Sequence, residues 1–510
     1  MEQNVEAHSR RQIKLATLVS YISIAVNIIS GLLFTPWLIH QLGNGDYGIY
    51  SIGTSIITLL IMDFGISEAV AKYVAQYRAE GNEEKVTELL SLVTKIYLIL
   101  AFVFLIIFTI LYFFLGNIYG GLTNAELVKL KNVYIIIAIY NVFAFAFTPL
   151  SGIMLAYEHL VSLKLCDIFL RLLTIIITIV AIVNGLGLYS AVMANAIAGI
   201  MVIIYKLYII QTNHRFKIDL SYKDNELLKK IFSFSVWVAI LVITQRCIYS
   251  ITPSILGALS GSNEVTLYSV SSALEGYAYS FGSVISTLFL AKISRQLEAG
   301  DNEGFNKLII TTGKIQFLLC AIILGGFICV GEDFIALWMG NGYGITYIMT
   351  IILLIPSIFI WPFMTASVGL TVANRVKGPA IVNVGTALIN IVMECILVRQ
   401  FGAFGAVVSI AVANSFKGIA LIFVYKKYLP IRLGQFIKEV FALYGVPLGA
   451  ITIISFWIFS GLHFNGIMGF MIKGILIVLL YVIVIFAIMR FGDRSFYQFT
   501  RSYIGKRKSK

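Results

Sequence analysis

The side chain best placed to do chemistry in this chain is an arginine inside an apolar run. Arg246 lies near the middle of residues 232–258, too deep to reach water easily. A charge at that depth costs about 2.5–3.5 kcal/mol on insertion scales, so it normally faces a cavity or a partner. Arginine stays ionised and presents five donors in a planar fork, which suits a phosphate or carboxylate. The competing reading makes Arg246 a structural partner of an acid elsewhere in the bundle. Ser235, Ala239, Val242, Ser250 and Pro253 share its helical face and form a narrow, partly polar stripe beside Tyr249. Glu275, central in the next run, shares a face with Ser272, Tyr279, Ser283 and Ser286. It is either the partner of Arg246 or a proton or cation site. Lys417, with Asn414 three residues earlier, is either a second cationic lining residue or a lysine snorkelling to the inner surface. Asn27, with Ser20, Ser23 and Ser30, gives the first run a polar face, and Asp63 sits in the inner half of the second.

The other membrane-depth charges have simpler readings. Asp167 and Arg171 are four residues apart and read as a local pair. Glu394 with Arg399 reads as an interfacial pair, and Lys473 as a snorkelling lysine. The five cysteines lie in apolar runs without Cys-x-x-Cys spacing, and the five histidines form no ligand pair, so no metal or cofactor is expected. There is no Walker A pattern and no catalytic constellation. Asp301-Asn-Glu303 reads as a solvated face rather than a metal-binding loop. External loops are short, so a membrane polymerase or glycosyltransferase is disfavoured and a non-enzyme is expected.

Side chains at such depths need helices to carry them. The 510 residues are 59% hydrophobic and only 12% charged. About fourteen runs are long enough to span a bilayer: 15–38, 48–70, 92–115, 133–156, 163–183, 188–210, 232–258, 265–290, 310–331, 346–370, 379–398, 403–425, 440–461 and 467–489. The net charge of +13 does not point to nucleic acid. With the N-terminus inside, external segments keep only Lys129, Lys131 and Arg399, the distribution of the positive-inside rule. Both termini are therefore expected in the cytoplasm, and the basic tail is expected on anionic lipid.

The chain also repeats. Gly43, Asp46, Tyr50 and Ser51 align with Gly261, Glu264, Tyr268 and Ser269; Ala71-Lys72 and Gln76 with Ala291-Lys292 and Gln296; Gly81-Asn82 with Gly300-Asp301. Leu186-Gly-Leu-Tyr-Ser-Ala-Val192 aligns with Phe401-Gly-Ala-Phe-Gly-Ala-Val407, and each half ends in Tyr-Lys-x-Tyr, from Tyr205 and from Tyr425. This predicts an all-α integral membrane protein of two parallel six-helix lobes related about the membrane normal. The lobes are 1–210 and 232–430, joined by a linker at 211–231. Two extra helices occupy 431–490 and a basic tail 491–510.

One stretch carries a family likeness. Leu59-Leu-Ile-Met-Asp-Phe-Gly-Ile-Ser-Glu-Ala-Val-Ala-Lys-Tyr73, followed by Ala75-Gln-Tyr-Arg-Ala-Glu-Gly-Asn82, resembles the second-helix signature of Wzx-type polysaccharide flippases. Leu42-Gly-Asn-Gly-Asp-Tyr-Gly-Ile-Tyr50 resembles their first external loop. These transporters belong to the MOP superfamily with the MurJ lipid II flippases and the MATE exporters. The resemblance implies a V-shaped pair of lobes around a central cationic cavity in the cytoplasmic membrane. It implies movement of polyprenyl-diphosphate-linked oligosaccharide from the cytoplasmic to the outer leaflet. Arg246 and Lys417 would hold the diphosphate, and Asn414, Tyr249, Ser250 and Asn27 the sugars. Asp63 and Glu275 are the candidates for coupling to a proton or sodium gradient. Membrane lipids are expected partners, and a polysaccharide polymerase or ligase is an open one. A lipid II flippase and a MATE-like exporter are the alternatives. The absence of an acid within the first run weighs against the exporter.

Overall fold

The computed structural model describes residues 2–61, 65–213, 218–460 and 466–505. The chain forms two compact units, one of residues 1–266 with 395–403 and one of 267–394 with 404–510. Both are helical. Large side chains face outward, Phe113 being 73% and Val183 74% exposed. An apolar surface of that extent requires lipid, not water, as its solvent.

The first unit is built from α1 (Glu2–Leu42), α2 (Asn44–Leu60), α3 (Ile66–Ala79), α4 (Glu83–Ile118), α5 (Asn124–Phe145), α6 (Pro149–Ala156), α7 (Leu160–Val183), α8 (Gly187–Asn213), α9 (Asn225–Tyr249) and α10 (Thr252–Leu259), with the start of α11 (Ser262–Leu288). Pairs α7–α8, α1–α7, α3–α6 and α2–α5 make the main packing. The division between units falls at residue 266, beyond the 211–231 linker and past α9 and α10, because α10 packs on α2 and α9 on α3 and α2. Residues 218–224 return to α4, where the Asp219 amide donates to Ser91 Oγ at 2.9 Å.

The second unit contains most of α11, then α12 (Leu290–Glu298), α13 (Asn302–Trp338), α14 (Gly344–Leu354), α15 (Ser357–Ile360), α16 (Met364–Val372), α17 (Lys377–Tyr428) except its residues 395–403, α18 (Leu433–Phe436), a π-helical stretch (Ile437–Gly445), α19 (Val446–Ser460), α20 (Gly466–Phe491) and α21 (Arg494–Gly505). Its hub is α13, which packs on α14, α19 and α20. Rings fill the space around it; Phe363 stacks on Phe436 with centroids 4.3 Å apart.

Among the described residues, ten helical stretches are long and apolar enough to cross a membrane. The expected runs 379–398 and 403–425 lie on one 52-residue stretch, α17, which turns at Gly402 (φ 55°). Runs 48–70, 232–258 and 265–290 lie on α2 to α3, α9 to α10 and α11, outside those ten.

The repeat is visible in the backbone. Gly81 (φ 70°) and Gly300 (φ 65°) take the left-handed conformation that a Cβ disfavours. The residue after each caps the following helix: Asn82 Oδ1 accepts from the Lys85 amide at 2.9 Å and Asp301 Oδ1 from the Gly304 amide at 2.8 Å. Gly187 and Gly402, also aligned by the repeat, have φ of 59° and 55°.

Candidate substrate and coupling sites

In the first unit, Arg246 occupies the last turn of α9, where a cation complements the helix dipole. The helix ends at Tyr249, and the chain steps through Ser250 into α10. Arg246 Nη1 donates to the Thr58 carbonyl at the end of α2. One turn away on α2, Ser55 Oγ donates to the Ser250 carbonyl and lies 2.9 Å from Ser254 Oγ. Arg246, Tyr249 and Ser250 thus lie together where α9 gives way to α10, against α2. Tyr249 is exposed and Ser250 half-buried. Asn27 lies apart from them on α1, exposed, lining a cavity with Ser23, Arg171 and Asn195.

The second unit holds Glu275 on α11 and Lys417 and Asn414 on α17. Glu275 and Lys417 are half-buried and interact electrostatically. Asn414 is buried. Nearby on the same lobe, Ser367 Oγ and the Tyr425 hydroxyl are 2.9 Å apart. Asp63 lies outside the described residues, as does the side chain of Glu68.

Three sequence expectations are corrected here. Asp167 does not pair with Arg171: Lys164 Nζ donates to its Oδ2 at 3.2 Å, and Arg171 Nε donates instead to Ser30 Oγ at 3.1 Å. The i, i+4 spacing leaves the two side chains free to choose, and a lysine three residues from Asp167 was the nearer cation. Lys473 does not snorkel. It is 5% exposed and its Nζ lies 2.8 Å from Asp333 Oδ2. Glu394 is no interfacial residue: it is fully buried and its Oε1 accepts from Asn390 Nδ2 at 3.1 Å.

Glu394 closes a buried polar stripe that sequence reading overlooked: Asn383, Thr386, Asn390 and Glu394. Their spacing of three, four and four residues puts all of them on one face of α17. That spacing was readable, but the charge at 399 drew Glu394 toward the surface. Asn383 Oδ1 has no hydrogen-bond partner among the described residues. Among those residues no cluster of three His, Cys, Asp or Glu forms a metal site.

Two packed helical units with charges held at membrane depth define a multi-pass membrane protein with a transporter fold. The fold is shared with known proteins. A lipid II flippase MurJ in an inward closed conformation superposes with a TM-score of 0.73 at 16% identity, covering 93% of this chain and 99% of that one. A multidrug resistance MATE family transporter of the MOP superfamily, in an inward-facing conformation, gives 0.60 at 13% identity over 84% and 99%. A MOP superfamily transporter from Pyrococcus furiosus, described as having a binding pocket of reverse polarity, gives 0.57 at 12% over 84% and 96%. No curated protein matches the chain by sequence. The family model of the polysaccharide biosynthesis proteins matches residues 16–290, more than half of the chain. The chain belongs to that family.

Proposed function

We propose that this protein moves a polyprenyl-diphosphate-linked oligosaccharide from the cytoplasmic to the outer leaflet by alternating access, for surface polysaccharide synthesis. The observation that carries the reading is Arg246, a permanent cation set at the α9 to α10 break in a polysaccharide-family chain. The lipid tail stays in the bilayer, while the charged, hydroxylated head needs a polar path. Arg246 and Lys417 would hold the diphosphate. Tyr249, Ser250, Asn27 and Asn414 would offer hydrogen bonds to the sugars. The six-helix lobes 1–210 and 232–430 would be the moving bodies. Placement of Lys and Arg supports a cytoplasmic membrane location with both termini inside. Asp63 and Glu275 are the candidates for coupling to a proton or sodium gradient. No step requires an enzyme's bond chemistry. A polymerase or ligase would consume the delivered glycolipid.

A second reading, transport of lipid II, is favoured by the fold likeness to MurJ. One experiment separates the readings. Cells lacking the gene are assayed by mass spectrometry for polyprenyl-diphosphate glycolipids, with surface polysaccharide measured in parallel. Accumulated oligosaccharide-lipid with loss of one surface polymer is expected. Rescue should succeed with the wild type, fail with Arg246→Ala, and be partial with Arg246→Lys, which keeps the charge but loses the fork. Lysis with accumulated lipid II would establish the second reading. Unchanged glycolipids would overturn both.

A further inference from the structure

We infer that the first unit contains an oxyanion site of its own, centred on Arg171 and lying within one bundle, apart from the Arg246 position. Arg171 is eleven residues into α7, about 17 Å along the helix, which is half the thickness of a bilayer core. A guanidinium has five donors. Here Nε donates to Ser30 Oγ at 3.1 Å, and Ser30 passes its own proton to the Asn27 carbonyl at 3.2 Å, so the contact is fixed in direction. The two terminal amino groups of Arg171 make no hydrogen bond to any described residue. The acid one turn away, Asp167, accepts a hydrogen bond from Lys164 at 3.2 Å rather than from Arg171.

Arg171 also lines a cavity of about 380 Å³ with Ser23, Asn27, Thr174, Asn195 and Asp167, within the size range of small-ligand pockets. Asn195 also lines a second space of about 200 Å³, with Tyr50, Thr54, Tyr140 and Asn141. Tyr50 lies beside Asn195 in that second space. The arrangement is one permanent cation and the Lys164-bound carboxylate of Asp167, with amides and hydroxyls from α1, α2, α7 and α8. A neutral hydroxyl leaves the guanidinium charge unmatched. A planar carboxylate or a phosphate fits, because it accepts two parallel bonds from the fork.

The ligand is therefore an oxyanion, carried either on an acidic sugar of the translocated head or in free solution as a small anion. Only the first source rests on the flippase reading. The test uses the full-length protein, purified in detergent, carrying Arg246→Gln so that anion held there is not counted. Thermal unfolding is followed with inorganic phosphate, with glucuronate, with glucose, and with sodium chloride at matched ionic strength. Phosphate or glucuronate should raise the midpoint where glucose and chloride do not. Adding Arg171→Gln should weaken that binding by about tenfold or more, and Arg171→Lys by less. Asn195→Ala, which leaves the guanidinium in place, should weaken it too and serves if Arg171→Gln does not fold. Stabilisation by glucuronate identifies an acidic-sugar site; stabilisation by phosphate alone identifies a soluble-anion site. No oxyanion effect in the Arg246→Gln protein, or an effect unchanged by Arg171→Gln, would overturn the inference. Normal glycolipids in the gene deletion with intact oxyanion binding would sink the flippase reading and leave this site standing.

Discussion

At the residue scale, Glu275 and Lys417 show how one contact alters the meaning of two charges. Sequence offered Glu275 either to Arg246 or to a coupling ion; in the folded unit it interacts with Lys417. Neutralising one of two opposite, half-buried charges leaves the other less compensated, and a buried charge left without its partner costs up to about 3–5 kcal/mol. We predict that Glu275→Gln lowers stability by that order and abolishes the gradient dependence of transport. Adding Lys417→Met should restore stability without restoring gradient dependence, a double-mutant comparison read by thermal unfolding and by transport in energised vesicles. A double variant with the wild-type response to the gradient would remove Glu275 from coupling. Residue types and their places along the helices were legible in the sequence. Pairing was not, because rotamers decide it. Asp167 had two cations within one turn and took Lys164, and Arg171 crossed to Ser30 on α1. Glu394 and Lys473 were misplaced for a related reason. An acid or lysine near a helix end can as well turn inward to Asn390 or Asp333 as outward to water.

At the scale of elements, close approach depends on glycine. A methyl built on Gly48 of α2 would fall into the Ser262 carbonyl at the start of α11, and one on Gly257 of α10 would strike Ile52. Around this seam the Gly121 amide donates to the Ala258 carbonyl at 3.0 Å, Thr266 Oγ1 donates to the Asn44 carbonyl at 2.7 Å, and Ser262 Oγ donates to Glu126. The backbone of Ser262 cannot yield as a flexible side chain would. Gly48→Ala should therefore destabilise the protein by about 1–3 kcal/mol, the usual cost of overpacking. Gly434→Ala, where nothing lies within reach of the added methyl, is the matched control. Equal unfolding midpoints for the two variants would show that the α2 to α11 approach is not held in solution. Neither glycine's sequence neighbours show what its missing side chain would meet, because Ser262 lies 214 positions from Gly48 along the chain. The glycines that did announce themselves, Gly81 and Gly300, stood next to capping residues and recurred in the repeat.

At the scale of the whole molecule, residues aligned by the sequence repeat share a backbone geometry, left-handed at Gly81 and Gly300 and at Gly187 and Gly402. The attachment of the appended helices was not foretold, because it rests on residues 125 and 179 positions apart in the chain. Lys314 on α13 is 3% exposed; its Nζ lies 2.7 Å from Glu439 Oε2 in the π-helical stretch and also pairs with Asp493, which accepts from the Tyr444 hydroxyl at 3.2 Å. This cluster ties both ends of the added pair to the hub helix. Burial alone would raise the Asp493 carboxyl, but the Lys314 hydrogen bond, followed by the Phe496 amide and the Ser495 hydroxyl, outweighs it and holds the group below its usual range. A carboxyl held low contributes stability above its unfolded value of about 3.9, and loses it only as pH falls through the folded value. The tie is thus fully formed throughout the physiological range and is a fixed joint, not a pH switch. Lys314→Met, which leaves two acids facing each other without their cation, should lower stability by about 3–5 kcal/mol at neutral pH. Adding Asp493→Asn should recover part of that loss, since it removes the more buried of the two charges. Proteolysis in the 429–436 segment, followed alongside the unfolding midpoint, reads whether the helix pair has come loose. If Lys314→Met proves as stable and as protease-resistant as the wild type, the pair is held by apolar packing on α13 alone.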